Sequence, residues 1–274
     1  MTILQSILLG IVQGLTEFLP ISSSAHLVLL PYLLNWEIPI SQAFIFDVLV
    51  QVTTLLGVVA YFWRDLITIT RAVLKGLWRK QPLSDPSARL GWLILLACLP
   101  AGVIGLALKD VVEQAFDSPL ATAFFLFGTA ILMVMAELWG KRSRNFEQID
   151  WLDALWIGFF QVLAIFPGLS RSGATISGGM LRHLDRSPAA RFSFLLSVPI
   201  MLAAGVVASI DLIQTPNLRS LLPVFIPGFI ASAVVGYLSI RWLLGYLARH
   251  PLYIFSIYCT VLALITLLVY SIRG

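Results

Sequence analysis

Two apolar stretches of the chain, near residues 3–34 and 152–181, each carry a cluster of polar residues that could do chemistry. The first holds Glu17 and His26, with Gln13 four residues ahead of Glu17 and Ser22, Ser23 and Ser24 between the acid and the imidazole. On a helix, residues four apart share a face, so Gln13 and Glu17 belong together. The second holds Arg171 within Pro167-Gly168-Leu169-Ser170-Arg171-Ser172-Gly173-Ala174-Thr175. Pro-Gly frees the backbone, and a new helix opening at the arginine would turn N–H groups, three hydroxyls and a guanidinium toward one place. That combination is a cradle for phosphate oxygens. Acid and imidazole on one segment and a cation on the other are complementary groups of the kind a reaction site uses, although a carrier can use them too.

These groups sit in an unusual background. Of 274 residues, 59% are hydrophobic and 12% charged, with a mean hydropathy of +0.92. A soluble domain is about 45–50% apolar and about 25% charged. The composition excludes a disordered chain, a nucleic-acid-binding domain and almost any water-soluble enzyme, and defines an all-α integral membrane protein. Ionisable groups at membrane depth are costly, which makes Glu17, His26 and Arg171 functional candidates by default. The net charge of +4 belongs to cytoplasmic loops under the positive-inside bias. Cys98 and Cys259 lie in apolar runs without metal-ligand spacing and read as packed thiols. The N-terminal segment lacks a basic lead-in and is expected to stay in the mature fold.

A bilayer core about 30 Å thick needs about 20 apolar residues per spanning helix. Six stretches qualify, near 43–63, 91–108, 119–138, 192–210, 221–243 and 252–271. The stretches 3–34 and 152–181 are interrupted by FLPISSSAH and FPGLSRSGAT, so each is expected to form a re-entrant helical hairpin. Loop charges place 64–89, with Arg64, Arg71, Lys75, Arg79, Lys80 and Arg89, on the cytoplasmic side, and alternation then puts both termini outside. The basic 64–80 segment is taken as a plain cytoplasmic loop in preference to an amphipathic surface helix.

A shift of 148 aligns the chain with itself at 14 identical positions over residues 10–60. Gly10 meets Gly158, Gln13 meets Gln161, Phe18 meets Phe166, Ser22 meets Ser170, and Gly57-Val58-Val59-Ala60 meets Gly205-Val206-Val207-Ala208. The matched Gly, Gln and Ser cannot come from shared hydrophobicity. Residues 1–274 therefore form one membrane domain of two repeats, 1–140 and 150–274, each with a hairpin and three spans. Three is odd, so the second copy enters from the opposite side, an inverted topology whose site lies where the broken helices meet.

QGLTEFLPISSSAH and PGLSRSGAT together resemble the two motifs of the bacterial undecaprenyl-diphosphate phosphatases of the bacitracin-resistance type, and the resemblance covers essentially the whole chain. It implies removal of the terminal phosphate of undecaprenyl diphosphate, recycling the lipid carrier for cell-wall synthesis, with a divalent cation (Mg²⁺ or Ca²⁺) and substrate presented at the outer face of the bacterial plasma membrane. The first position of the family's Glu/Gln-x-x-x-Glu motif is Gln13 here, which leaves Glu17 as the metal-binding carboxylate.

On that basis Arg171 is expected to clamp the diphosphate, with Gln13, Ser22, Ser170, Ser172 and Thr175 contacting substrate. Glu17 binds the metal or orients the attacking group. Ser23 is the candidate nucleophile and His26 its base and later acid, while attack by water or by His26 needs the same residues. Gln13 and Gln161 could bond across the pseudo-twofold axis. Asp47 and Gln51 are supporting candidates, and His183, His250, Glu137 and Asp211 read as interfacial. A lateral opening lined by Leu, Phe and Val would admit the polyprenyl tail. Membrane lipids are the other partners, nucleic acid is not one, and a homodimer is left open. The competing reading is a carrier or lipid flippase, which the inverted repeat also suits.

Overall fold

The structure, a computed structural model, describes residues 1–108, 118–213 and 218–273. Among these are eleven α-helices: α1 (Ile3–Phe18), α2 (Ser23–Leu34), α3 (Ile40–Tyr61), α4 (Trp63–Trp78), α5 (Pro86–Ala107), α6 (Pro119–Trp139), α7 (Trp151–Leu163), α8 (Arg171–Leu181), α9 (Arg186–Ile213), α10 (Leu218–Leu247) and α11 (Tyr253–Arg273). Five of them, α5, α6, α9, α10 and α11, are long and apolar enough to cross a bilayer; α3 followed by α4 is a sixth candidate, bent by 84°. They coincide with the six apolar stretches read from the sequence. The protein is a multi-pass membrane protein. Large apolar side chains such as Val103, Leu106, Ile131 and Leu268 are exposed on these helices, where the surrounding solvent is lipid.

The helix ends are written locally. Thr2 caps α1 in a capping box with Gln5, and Asp150 does the same for α7 with Asp153. Pro86 and Pro119 occupy the first turns of α5 and α6, where no N–H is needed. Prolines inside α5, α9 and α10 (Pro100, Pro199, Pro223, Pro227) are tolerated because neighbouring helices shield the freed backbone.

Residues 63–78 form a helix where a plain loop was expected. Its apolar residues fall at helical spacing: Leu66, Ile69 and Val73 face α5, and Val73 and Ile69 lie so close to Gly91 that a Cβ there would meet them at 2.6 and 2.9 Å. Trp63, Leu74, Leu77 and Trp78 form a second, exposed apolar stripe. Arg64, Arg71 and Lys75, with the basic residues that follow the helix, obscured this amphipathic pattern.

In the helix pairs α1/α2 and α7/α8, α8 is almost wholly buried, while α1 and α7 each keep an exposed apolar face, with Leu4, Leu8 and Leu15 on one and Trp156 and Phe159 on the other. α1 packs along α10, and α7 packs along α5. Gly10 and Gly228 let α1 and α10 come together: a Cβ on Gly10 would lie 2.1 Å from the Gly228 carbonyl oxygen. A large apolar core holds Phe18 edge-on to Phe194 and joins α1, α6, α9 and α11; a smaller one, around Leu9, Phe46 and Phe225, joins α1, α3 and α10.

At the ends of α6 and α7, two carboxylates collect the basic residues that follow them. Glu137 accepts from Arg186 (2.7 Å), Arg142 (2.8 Å) and the Leu252 N–H (2.8 Å). Asp153 accepts from Arg144 at 2.6 and 2.9 Å and from Arg182 at 2.7 Å. The hydrogen bond from Arg144, in the connection between α6 and α7, to the Asp153 carboxylate raises its pKa further above the ordinary arginine value. Glu137, near the end of α6 as expected, is therefore a buried structural anchor there; the Asp211 side chain lies outside the described residues.

Candidate active site

Both breaks arise from residues that cannot continue a helix. After α1, Pro20 supplies no N–H, the chain turns, and Ser22 takes a left-handed conformation (φ 67°) from which its hydroxyl caps α2 at the Ala25 N–H. After α7, Pro167 is followed by Gly168 at φ 101°, and Ser170 caps α8 through the Gly173 N–H at 3.1 Å. Gly168 is required twice over: its φ is left-handed, and a Cβ would lie 2.4 Å from the Thr122 carbonyl oxygen. Thr129 on α6 fixes this turn, donating to the Gly168 carbonyl (2.8 Å) and accepting from the Ser170 N–H (2.9 Å).

The two bends meet. The Ser172 hydroxyl donates to the Leu19 carbonyl at 3.0 Å, and the Gly168 N–H reaches Ser24 Oγ at 3.4 Å. Across this junction the Arg171 guanidinium donates from Nη2 to Glu17 Oε1 at 2.6 Å. Glu17 Oε2 accepts from Ser23 Oγ at 2.6 Å and from Gln13 Nε2 at 2.9 Å. One carboxylate thus receives three hydrogen bonds, one charge-assisted across the bends. The pair is shielded, with side-chain exposures of 8% for Glu17 and 19% for Arg171.

A cavity of about 260 Å³ opens over this network. Glu17, Ser22, Ser23, Ser24, Ser170 and Arg171 form its polar wall; Val48, Val52, Leu169, Ile200 and Met201 are apolar neighbours from the bend, α3 and α9. Arg171 Nη1 is buried without a hydrogen-bond partner at the cavity wall, and so is Gln13 Oε1 behind Glu17, although Gln13 itself does not line the cavity. Buried polar atoms of this kind are costly unless something else meets them.

The other sequence-derived candidates fall in different places. Ser172 ties the bends together, and Thr175 bonds the Arg171 carbonyl (2.7 Å) and Ser193 on α9 (2.6 Å); neither lines the cavity. Their hydroxyls are spent inside the protein, so they support the cradle instead of lining it. His26 lies three residues after Ser23, yet its ring does not bond Ser23. Its Nδ1 meets the Ser22 carbonyl at 2.7 Å and its Nε2 meets the Tyr258 hydroxyl at 2.7 Å. A carbonyl only accepts, so Nδ1 carries the proton and Nε2 of the neutral ring accepts from Tyr258. The bond back to residue 22 and the stacking on Tyr258 turn the ring toward α11. Ser23 is left with Glu17 as its partner.

Gln13 and Gln161 do not bond across the axis: Gln13 is held by Glu17, and both side-chain polar atoms of Gln161 are buried without a partner. Gln51 lines the cavity and Asp47 does not. Cys98 and Cys259 are free thiols, and Cys259 contacts the Pro20 carbonyl at 3.8 Å. Sequence reasoning missed Met201, whose sulfur accepts from Arg171 Nη2 at 3.3 Å, and Tyr258 behind His26. Both come from distant spans and carry no local motif. Thr129, one of two threonines in a mostly apolar helix, was a detectable signal.

A bundle of membrane-crossing helices with two broken helix pairs converging on a carboxylate–guanidinium–serine network defines a polytopic membrane protein with a polar pocket between the bends. The chain belongs to the family described as bacitracin resistance protein BacA, which it matches over residues 6–265. It is 45% identical to an undecaprenyl-diphosphatase of Chlorobium phaeovibrioides, covering 99% of this chain and 98% of that protein. It is 41% identical to one from Thermomicrobium roseum over 99% of both chains, and 40% identical to one from Desulforudis audaxviator over 98% of both.

Proposed function

We propose that this protein hydrolyses undecaprenyl diphosphate to undecaprenyl phosphate and inorganic phosphate, which recycles the lipid carrier for peptidoglycan synthesis and confers bacitracin resistance. The reading places it in the bacterial plasma (inner) membrane with the pocket reached from the outer face. Its similarity to undecaprenyl-diphosphatases supports the reaction. The observation that carries the site is the chain Arg171–Glu17–Ser23, with both links at 2.6 Å. The two repeats are read as inverted copies, supported by the α1–α10 and α7–α5 packing and by the meeting of the bends.

In this mechanism the unspent Nη1 of Arg171 takes up diphosphate oxygens, and the start of α8 adds its dipole. Ser23 Oγ attacks the terminal phosphorus as Glu17 Oε2 removes its proton. The bond from that phosphorus to the bridging oxygen breaks, and Glu17 passes the proton to the departing lipid phosphate. Water then attacks the phosphoserine; its proton moves to Glu17 and on to Ser23 Oγ as inorganic phosphate leaves. His26 acts as a positioning residue, holding the Ser22 carbonyl and with it the turn that presents Ser23.

A divalent cation, Mg²⁺ or Ca²⁺, fits this donor set. Among the described residues no three His, Cys, Asp or Glu side chains come together, so the carboxylate that would hold it at the cavity wall is Glu17. Such a sparse oxygen set suits a hard cation that shares its shell with water and substrate phosphates. When bound it would neutralise charge on the phosphate oxygens.

The test is phosphate release from a polyprenyl diphosphate by the purified full-length protein, with Mg²⁺ or Ca²⁺ and with EDTA. Release is expected to fall by about 10²–10⁴ in Glu17→Gln, the range for loss of a general base, and to fall strongly in Ser23→Ala. Near-normal turnover of Ser23→Ala would mean direct attack by water. No release by the wild type, with lipid still crossing liposome membranes, would leave the carrier reading in its place.

A further inference from the structure

A second cavity, of about 640 Å³, shares no residue with the site above. It lies between α4, the α4–α5 turn, the start of α5 and residues 146–149, with Arg191 of α9 at its wall. Its floor is apolar, with Ile69, Leu90, Leu93 and Phe146, and its upper wall carries three arginines, Arg64, Arg89 and Arg191.

These guanidiniums have donors to spare. Each carries five N–H groups. Arg191 spends one on Asp65 at 2.6 Å and lies over the Phe146 ring at 4.7 Å, so its plane is fixed between a carboxylate and an aromatic face. Arg89 makes one long hydrogen bond, 3.4 Å to the Ile149 carbonyl. The side chain of Arg64 makes none among the described residues. Of the two acids on the wall, Asp65 is already paired, which leaves Glu147 against the other two arginines. Thr68 and Ser84 also line the cavity but donate their hydroxyls to the Arg64 and Gln81 carbonyls, which leaves Ser87 as the further hydroxyl. A phosphate group, an anion with several acceptor oxygens, is the ligand that would use several such donors at once.

The surroundings name the source of that anion. The exposed Trp63, Leu74, Leu77 and Trp78 form an apolar stripe on α4, and Arg64, Arg71, Lys75 and Arg79 run beside it. A helix with adjacent apolar and basic stripes lies in the membrane interface, where headgroup phosphates are concentrated and acyl chains are within reach. We propose that this cavity binds the phosphate of an anionic phospholipid headgroup through Arg64, Arg89 and Arg191.

The experiment uses the full-length protein purified in neutral detergent. Phosphatidylglycerol, phosphatidylcholine and inorganic phosphate are titrated separately, reading lipid retained in native mass spectrometry and the thermal midpoint. Phosphatidylglycerol is expected to bind and raise the midpoint in a saturable way, and phosphatidylcholine to bind at least tenfold more weakly. The variant R64Q/R89Q, which leaves the Arg191–Asp65 pair and the packing of α4 intact, is expected to lose at least tenfold in phosphatidylglycerol affinity while its phosphate-release activity persists. Equal binding of the two lipids, or unchanged binding by R64Q/R89Q, would overturn the proposal. Saturable binding of inorganic phosphate that phosphatidylglycerol does not displace would assign the cavity to a soluble anion and overturn the lipid assignment.

Discussion

Replacing Arg171 by lysine separates what the guanidinium does for catalysis from what it does for the fold. Arg171 commits Nη2 to Glu17 at 2.6 Å and to the Met201 sulfur at 3.3 Å, while Nη1 is buried and unspent. Lysine brings the same charge on one nitrogen and cannot divide itself between the carboxylate and a phosphate in the arginine geometry. One transition-state contact is therefore lost, which costs about 10²–10³ in kcat, or about 2.7–4 kcal/mol. Arg171→Ala goes further and leaves a shielded carboxylate without its cation. Removing one partner of a buried pair costs about 3–5 kcal/mol. The lower end applies here, because Arg171 is 19% exposed and Glu17 keeps its bonds from Gln13 and Ser23. Steady-state phosphate release and thermal midpoints on both variants give the comparison. Arg171→Lys should fold like the wild type and turn over about a hundredfold or more slowly. A lysine variant with near-normal kcat would refute the assignment of Nη1 to the transition state.

Other perturbations probe the scaffold. Gly168→Ala combines a left-handed φ with a Cβ 2.4 Å from a backbone oxygen, so it should cost more than the about 1–3 kcal/mol of strain alone and lower the thermal midpoint and activity together. Glu137→Ala strips the shared acceptor from Arg142, Arg186 and the Leu252 N–H, and should destabilise by about 3–5 kcal/mol although it lies outside the cavity; an unchanged midpoint would show that these bonds contribute nothing net. For His26, a positioning role predicts that His26→Asn, which can still donate to the Ser22 carbonyl, keeps at least tenfold more activity than His26→Ala. Equal loss in both variants would return the imidazole to a direct part in proton transfer.

The reach of sequence reasoning follows physical range. Hydropathy is additive along the chain, so the membrane class and the six apolar spans were legible residue by residue. The two breaks were legible because Pro20, Pro167 and Gly168 act on their own backbones. The meeting of Glu17 with Arg171 also followed, since the repeat supplied long-range information that one motif lacks. The helix at 63–78 was masked because its three basic residues, with those that follow, read as a loop when its apolar spacing is not weighed separately.

What tertiary structure alone decided is where hydroxyls and rings point. Ser22, Ser23, Ser170, Ser172 and Thr175 are chemically similar, yet Ser23 faces the carboxylate while Thr175 turns to Ser193. His26 is three residues from Ser23, but a span 232 residues away supplies the hydroxyl that claims its Nε2. Directional bonds formed between distant helices are set by packing, and packing is a property of the assembled bundle that no local spacing encodes.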